Sequence, residues 1–329
     1  LEHVQRQHRV REQDVAEREH RQLARAVHGG DRTAPVSSAG RADAPAASRP
    51  PGGRPGAGVS YVVYGGERHA AATLDLGTLD GRNGFRLTGA TSLDYSGGSV
   101  ASAGDINGDG YADIVIGATQ TDPANGINRG VQYDAGSTYV VFGTRKNASA
   151  SIDLGTLDGT DGFRLDGVSA ADFSGQAVAS AGDVNGDGYA DLVIGAPEAK
   201  PGGLDFAGAA FVVFGKASGW AGAIDLGTLN GSNGFRMNGL SARDYFGTSV
   251  AAAGDVNGDG YGDLLIGAPQ SDLGGADAGS TYLIYGKASG WTAVVDLATI
   301  DGAGGRRLDG VLVGGFSGQA VASAGDVNA

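Results

Sequence analysis

The sequence contains a short segment rich in oxygen-bearing side chains that recurs almost unchanged. The three copies and the beginning of a fourth are residues 104–118, 182–196, 254–268 and 325–329. In the first copy, Asp105, Asn107, Asp109 and Asp113 stand at positions one, three, five and nine, and the sixth position is a glycine, where the chain turns. The Tyr111 backbone carbonyl can add a fifth oxygen. Calcium takes six to eight oxygen ligands, so this spacing predicts a Ca²⁺-binding loop.

The residues around the loop decide which kind of calcium loop it is. An EF-hand needs a bidentate glutamate at position twelve and helices on both sides. Position twelve is instead Ile116, Ile194 or Ile266. The β-branched run 114–116 predicts a strand after the loop, so the loop joins two strands. A solvated turn rich in Asn, Asp and Gly is the alternative interpretation, and three near-identical copies favour metal binding over it.

Composition indicates an all-β protein that is rich in turns. The chain has 329 residues, of which 61 are glycine and 41% are hydrophobic, without the glycine period of collagen. No apolar run is long enough to span a membrane. The net charge of −13 argues against nucleic-acid binding, and the absence of cysteine excludes disulfides and zinc–thiolate sites.

Residues 1–57 differ in composition from the rest. They carry ten arginines and no lysine, and four of the five histidines of the chain. We predict a possible helix over residues 3–27, without a continuous apolar stripe, and disorder over the proline-rich residues 29–57. No hydrophobic signal segment is present in the sequence given. We interpret 1–57 as an extension that is foreign to the remainder; a basic arm for an anionic partner is the alternative.

From Gly58 onward the chain is built of repeats of constant order. The loop-opening residues Asp105, Asp183, Asp255 and Asp326 are 78, 72 and 71 residues apart. A second marker is the aspartate that opens an Asp-Leu-Gly-Thr element, which carries one substitution in the last repeat. These aspartates keep the same spacings, at Asp75, Asp153, Asp225 and Asp296. Each repeat offers four strands, which predicts four-stranded antiparallel blades of a β-propeller. The predicted full blades are 95–167, 173–239 and 245–310, with partial blades at 58–89 and 316–329.

Several motifs carry a family resemblance. They are Tyr95 to Ala101, the 104–118 loop, Val141-Phe142-Gly143, Phe173-Ser174-Gly175, Ala196-Pro197, Phe246-Gly247 and Ala268-Pro269. Together they resemble the FG-GAP repeat of integrin α-subunit β-propellers and their bacterial relatives, over roughly residues 58–329. The last repeat departs from the pattern, because Gly315 replaces an aspartate and Arg306 replaces a phenylalanine of the other copies.

The resemblance implies calcium in the hairpin loop between the first two strands of a blade. Carried over by position, the ligands of the second and third ions are Asp183, Asn185, Asp187, Tyr189 (carbonyl), Asp191, Asp255, Asn257, Asp259, Tyr261 (carbonyl) and Asp263. A fourth site is cut short at Asp326 and Asn328. Such propellers commonly have seven blades, so we expect the remaining blades of a parent propeller to be partners of this fragment.

The expected function is a calcium-binding propeller module for extracellular adhesion or surface recognition, with a protein or glycan ligand and a structural role for calcium. The alternative is a non-catalytic propeller part of a larger secreted hydrolase. We expect no enzyme activity in this chain, because His69 is the one histidine after residue 57 and no Gly-x-Ser-x-Gly nucleophile elbow occurs.

Two further features have competing interpretations. The Asp80-Gly81, Asp158-Gly159 and Asn230-Gly231 pairs could hold a second ion, but they lack spaced ligands and predict tight turns. Trp220 and Trp291 stand at matching positions and could be platforms for a sugar, but packing beneath a loop is favoured.

Overall fold

The computed structural model describes residues 36–39, 53–65, 73–123, 133–144 and 149–325. Within these ranges the regular elements are β-strands and single-turn 3-10 helices, and the strands form four sheets. The predicted all-β class with four-stranded blades is confirmed. No helix in the described ranges is long and apolar enough to cross a membrane.

The strands fall into four units, blades A to D, in chain order. Blade A contains β1 (Val36–Ala39), β2 (Val59–Val63) and β3 (Gly84–Thr88). Blade B contains β4 (Ser99–Gly104), β5 (Asp113–Ala118), β6 (Ser137–Val141), β7 (Ser151–Asp153) and β8 (Gly162–Asp166). Blade C contains β9 (Ala177–Gly182), β10 (Asp191–Ala196), β11 (Ala209–Val213), β12 (Ala223–Asp225) and β13 (Gly234–Asn238). Blade D contains β14 (Ser249–Gly254), β15 (Asp263–Ala268), β16 (Ser280–Ile284), β17 (Val294–Val295) and β18 (Gly305–Asp309).

Each full blade is an antiparallel sheet whose long strands pair in chain order, β4-β5-β6-β8 in blade B. Blades B, C and D each also lend a short strand to the blade before them. β7 pairs in parallel with β3, β12 with β8, and β17 with β13. No sequence pattern predicted this fifth, lent strand.

The lent strand ends in the Asp-Leu-Gly-Thr element. In blade B the Asp153 carboxylate accepts the Gly155 N–H at 2.9 Å and caps a 3-10 helix, Leu154–Thr156. The corresponding helices are Leu76–Thr78, Leu226–Thr228 and Leu297–Thr299. A further 3-10 helix, Pro201–Gly203, lies in a different loop and has no side-chain cap. Leu154, Leu226 and Leu297 are buried, so the capped turn fixes an apolar anchor between blades.

The hydrophobic core lies between neighbouring blades, because the second and third strands of blades B, C and D bury side chains on both faces. In β5, Val115 faces a cluster shared with blade C, while the adjacent Ile116 faces a cluster shared with blade A. A third cluster joins blades C and D and includes Phe235 and Tyr282. Alternation along a strand thus sends successive side chains to opposite interfaces.

The N-terminal extension contributes to blade A in the described residues. β1 lies inside the range for which we predicted disorder, and it pairs antiparallel with β2. The Arg54 guanidinium forms an ion pair with Asp153 at 2.8 Å and donates to the Gly89 carbonyl at 3.0 Å. Residues 53–57 therefore pack with the blades, although we had assigned them to the extension. The predicted helix at 3–27 lies outside the described residues.

Candidate metal centre

The three repeated loops connect the first and second strands of blades B, C and D. They run between β4 and β5, β9 and β10, and β14 and β15. The predicted ligands at Asp105, Asp183 and Asp255 open the loops, and Asp113, Asp191 and Asp263 begin the second strands. Asp326 and Asn328 of the truncated fourth copy lie outside the described residues.

The first aspartate of each loop organises the backbone around itself. In the second copy, the Asp183 carboxylate accepts the N–H groups of Gly186 at 2.7 Å, Asp187 at 3.1 Å and Gly188 at 2.9 Å. Asp255 makes the same three contacts in the third copy. The loop thereby curls around a carboxylate that accepts hydrogen bonds from several backbone N–H groups.

The residues at loop positions three and five are hydrogen-bonded to each other. Asn185 Oδ1 accepts the Asp187 N–H at 3.0 Å, and Asn185 Nδ2 donates to Asp187 Oδ2 at 2.8 Å. Asp187 Oδ1 also accepts the Tyr189 N–H at 3.0 Å. The first and third copies repeat these contacts at Asn107, Asp109, Tyr111, Asn257, Asp259 and Tyr261. The oxygens of positions one, three and five are therefore held on one small loop.

The glycine at position four of the loop is as constrained as the glycine at position six. Gly186 has a φ of 73° and Gly188 a φ of 89°. A Cβ on Gly186 would lie 2.4 Å from the ring of Tyr261 in the next loop, and one on Gly108 would lie 2.5 Å from the ring of Tyr189. The position-seven tyrosine of one blade thus covers the loop of the blade before it, a role the sequence did not reveal.

The ninth-position aspartates are buried and tie each loop to its blade. Asp191 Oδ2 accepts the Val184 N–H and Asp191 Oδ1 accepts the Gly215 N–H, both at 2.8 Å. Burial raises the pKa of Asp191 to about 7, although the two hydrogen bonds from backbone N–H groups act to lower it. Burial likewise raises the pKa of Asp113 to about 6 and raises the pKa of Asp263.

The donor chemistry of the loops fits calcium. Each loop offers carboxylate and amide oxygens without a sulfur or imidazole ligand, as a hard cation prefers. Across the described residues, however, no group of three or more carboxylate or imidazole side chains is gathered in a way that could hold a metal ion. Loop carboxylates are instead engaged by backbone amides. The predicted ligand sets therefore remain a prediction.

The two tryptophans are packing residues. The Trp220 ring stacks on Phe163 of β8 with centroids 4.2 Å apart, and its other face carries Lys216 Nζ at 4.7 Å. Its indole N–H donates to the Lys216 carbonyl at 3.1 Å. Trp291 repeats the arrangement on Phe235 with Lys287. Both faces of each ring are engaged, so the sugar-platform hypothesis finds no free aromatic face.

The Asp-Gly and Asn-Gly pairs form tight turns, as predicted. In the first, Asp80 Oδ1 accepts the Arg82 N–H at 2.9 Å, and the Gly81 N–H donates to the Gly84 carbonyl at 2.8 Å. Asp158 and Asn230 accept the corresponding amides of Thr160 and Ser232 at 2.9 Å each.

A second set of recurring aspartates, at the position that Gly315 occupies in the last repeat, is buried. Asp94, Asp172 and Asp244 precede residues with positive φ, and each is buried. Asp172 Oδ2 accepts the Ser169 N–H at 2.9 Å, and burial raises the pKa of Asp172 to about 6. In the sequence, these aspartates recur one residue before an aromatic residue in three repeats, and this recurrence is the pattern that indicates a structural role for them.

Comparison with known proteins defines the class. The FG-GAP repeat model matches residues 96–141, 174–213 and 246–284. Each match begins just before the first strand of a blade and ends with its third strand, so it contains the whole loop. The chain thus contains three FG-GAP repeats, each within one β-propeller-type blade.

Its relatives are of two kinds. Integrin alpha-V of Gallus gallus is 33% identical over 217 residues, which are 65% of this chain and 19% of the relative. Phosphatidylinositol-glycan-specific phospholipase D is 29% identical over 222 residues in Dictyostelium discoideum and 32% identical over 192 residues in Bos taurus. These alignments cover 64% and 58% of this chain and 21% of each phospholipase. The chain is thus similar to part of an integrin α subunit and to part of these phospholipases, and it spans about a fifth of the length of these relatives.

Proposed function

We propose that the three loops bind Ca²⁺ and that the ion has a structural role within each blade. The observation that supports this most is the threefold repetition of one hydrogen-bonded loop, with the same oxygen-bearing residues at the same positions. A divalent cation would offset the mutual repulsion of the loop carboxylates. Each site would consist of the carboxylates at positions one, five and nine, the asparagine at position three and the tyrosine carbonyl at position seven.

Each loop residue contributes in its own way. The first-position aspartate holds the loop curled through the amides of positions four to six, as at Asp183. The buried ninth-position carboxylate anchors the loop to the amide that follows the third strand, as Asp191 does at Gly215. The cation would therefore link the exposed loop to the second and third strands, and its affinity would be coupled to blade folding.

We propose further that the module serves extracellular adhesion or surface recognition, with a protein or glycan as its ligand. The integrin α relatives support this proposal. Loops of modest affinity also require calcium at roughly millimolar concentration, which is the extracellular level. A second candidate is a non-catalytic propeller part of a larger secreted hydrolase. The phospholipase D relatives favour that candidate, and FG-GAP repeats are themselves non-catalytic modules.

Calcium titration tests the metal proposal. We expect calorimetry on the metal-free full chain to give about three ions per chain, with a rise in melting temperature. Asp187→Ala should remove one ion, whereas Asp161→Ala, an exposed aspartate in a turn, should remove none. Retention of all three ions by Asp187→Ala, or no uptake at millimolar calcium, would contradict the proposal.

A ligand screen tests the recognition proposal. The immobilised chain is exposed to purified matrix proteins and glycans in calcium and in chelator. Calcium-dependent capture that is lost in the combined Asp105→Ala, Asp183→Ala and Asp255→Ala variant would support recognition. Absence of any ligand, with calcium stabilisation intact, would favour the hydrolase-associated candidate and would leave the metal proposal standing.

A further inference from the structure

The three repeated loops are hydrogen-bonded to one another. We name them by the letters of their blades, as loops B, C and D, which are residues 105–113, 183–191 and 255–263. Between loops B and C, the Ala190 N–H donates to the Asp105 carbonyl at 3.1 Å. Between loops C and D, the Gly262 N–H donates to the Asp183 carbonyl at 2.7 Å. In both pairs, position eight of one loop is therefore bonded to position one of the loop before it.

The peptide group that forms each of these contacts also contains a proposed calcium ligand. The N–H of Ala190 and the carbonyl of Tyr189 belong to one peptide, and the Tyr189 carbonyl is the position-seven ligand of loop C. The peptide is planar and trans, so its N–H and its carbonyl point in opposite directions. The N–H faces loop B, and the carbonyl faces away from it. The peptide between Tyr261 and Gly262 repeats the arrangement between loops C and D.

The acceptor of each contact is also part of a proposed calcium site. Asp105 stands at position one of loop B, where its carboxylate accepts the N–H groups of Asp109 at 3.0 Å and Gly110 at 2.9 Å. Asp183 has the same role in loop C. The hydrogen bond between two loops therefore ends on the residue whose side chain curls the accepting loop.

The position-seven side chain adds a second contact between loops. The Tyr189 ring lies over Gly108, where an added Cβ would come within 2.5 Å of it, and the Tyr261 ring lies over Gly186 in the same way. The φ values of Gly108 and Gly186 are 71° and 73°. This glycine stands between the oxygen-bearing residues at positions three and five. The tyrosine ring therefore restricts the part of the preceding loop that carries two of its proposed ligands.

A third connection involves the segment that follows the third strand of the next blade. The Lys216 N–H of blade C donates to the Ile106 carbonyl of loop B at 3.0 Å. The adjacent Gly215 N–H donates to Asp191, the ninth-position residue of loop C, at 2.8 Å. The corresponding segment of blade D makes the equivalent two bonds. One short segment is thus bonded to two successive loops.

We propose that the calcium sites of adjacent loops are positively coupled, so that an ion in one loop raises the calcium affinity of its neighbour. Tyr189 and Tyr261 are then positioning residues for the site in the preceding loop. This inference rests on the proposed binding of calcium. A cation at the Tyr189 carbonyl polarises the shared peptide and strengthens its N–H as a donor to Asp105. Ordering of either loop lowers the entropic cost of ordering the other, and the coupling is reciprocal.

Calcium titration of the full chain, in competition with a fluorescent chelator, tests the coupling. Asp187→Ala empties loop C and leaves loops B and D, which are not in contact through an occupied loop. Its two remaining ions should bind independently. Asp109→Ala and Asp259→Ala are matched controls, because each also removes one ion but leaves two neighbouring loops. In these controls the first ion should raise the affinity for the second by at least about fivefold.

The positioning role of Tyr189 has its own test. In a chain that carries Asp187→Ala and Asp259→Ala, loop B alone keeps its proposed ligand set. In that background, Tyr189→Ser should weaken calcium binding by at least about fivefold, because the ring over Gly108 is lost. Tyr189→Phe keeps the ring and should restore the affinity of the background chain. Tyr133→Ser, at a tyrosine that is 67% exposed, should leave that affinity unchanged.

Hydrogen exchange reports the coupling at a single amide. In Asp187→Ala, calcium should slow exchange of the Ala190 amide although loop C holds no ion, because the ion in loop B orders the accepting carbonyl. A wild-type chain that takes up no calcium would overturn both the calcium proposal and the coupling. Three ions in the wild type would overturn the coupling alone if binding in Asp109→Ala and Asp259→Ala were independent, or if Tyr189→Ser had no effect.

Discussion

At the scale of single residues, the two kinds of aspartate in each loop have different surroundings. Asp191 is fully buried and holds the Val184 and Gly215 amides, whereas Asp187 is exposed. A buried amide left without an acceptor costs about 1–3 kcal/mol. The ninth-position residue is therefore needed by the fold itself, while the fifth-position residue is one of the proposed calcium ligands.

This difference gives a prediction for the calcium-free protein. In chelator, Asp191→Ala should lower the free energy of unfolding by roughly 2–5 kcal/mol, because two buried donors lose their acceptor. Asp187→Ala should change it by less than about 1 kcal/mol, since its contacts are exposed. Urea unfolding measures both. Equal effects of the two substitutions would show that the buried carboxylate is not the anchor described above.

The second set of aspartates predicts a pH dependence. The pKa of Asp172 is raised to about 6 because burial disfavours its charged form, against the lowering effect of the Ser169 amide. Between pH 4 and 6 the folded protein then binds more protons than the unfolded chain, so the contribution of Asp172 to stability falls as pH rises. As the pH rises, the free energy of unfolding of Asp172→Asn should decrease by roughly 1–3 kcal/mol less than that of the wild type. The variant should therefore be more stable than the wild type at pH 7.

Urea unfolding at pH 4.5 and 7 in chelator provides the measurement. Asp161→Asn, at an exposed turn position, is the matched control and should keep the wild-type slope. An unchanged slope in Asp172→Asn would mean that the buried carboxyl keeps its ordinary pKa.

At the scale of elements, the glycine of each second strand allows neighbouring blades to approach. A Cβ on Gly195 of β10 would lie 2.0 Å from the Gly247 carbonyl oxygen of blade D, and one on Gly117 would lie 1.9 Å from the Gly175 carbonyl oxygen of blade C. The opposing atom is backbone in both cases and cannot rotate away. The Gly-Ala element thus packs against the turn that opens the next blade.

We therefore expect Gly195→Ala to lower the free energy of unfolding by roughly 1–3 kcal/mol or more, because the two blades must separate. Gly304→Ala is the control, since its added Cβ meets nothing within 4 Å. That control should stay within about 0.5 kcal/mol of wild type. A tolerated Gly195→Ala would show that the blades pack less closely than described.

The lent strand is the other element that joins blades. It is short, three residues in β7 and β12, and the Asp-capped 3-10 turn that follows it buries a leucine in the interface. Neighbouring blades are therefore held by backbone hydrogen bonds at the outer edge and by apolar clusters along the faces.

At the scale of the whole molecule, stability should be uneven along the row of blades. Three of the five residues of β13 are buried, whereas one of the five residues of β18 is buried. In a linear array, each unit is stabilised by its own contacts and by those with its neighbours. Within the described residues blade D packs against blade C alone, whereas blades B and C each pack against two other blades.

Hydrogen exchange should reveal this order. The Arg307 amide, for which the described residues offer no such acceptor, should exchange faster than the amides of Arg86, Arg164 and Arg236, which donate to the next blade. Equal protection of all four amides would indicate an acceptor for Arg307 that the described residues do not contain.

Sequence alone determined the repeat, its strands and the composition of its loops. Period-two alternation and the fixed spacing of two aspartate markers act locally, so they predicted four-stranded blades without tertiary information. The turn chemistry of Asp80-Gly81 and the packing role of Trp220 were also predictable, since Asx turns and buried aromatics follow general preferences.

Only the tertiary structure decided how the blades join. The lent strands, the tyrosine of one loop over the glycine of the preceding loop and the contact of Gly195 with Gly247 each connect residues of different blades. Their partners are tens of residues apart, and no local propensity encodes which partner is met. The division of the loop aspartates into buried anchors and exposed residues had the same origin, because burial depends on the neighbouring strands that surround a side chain.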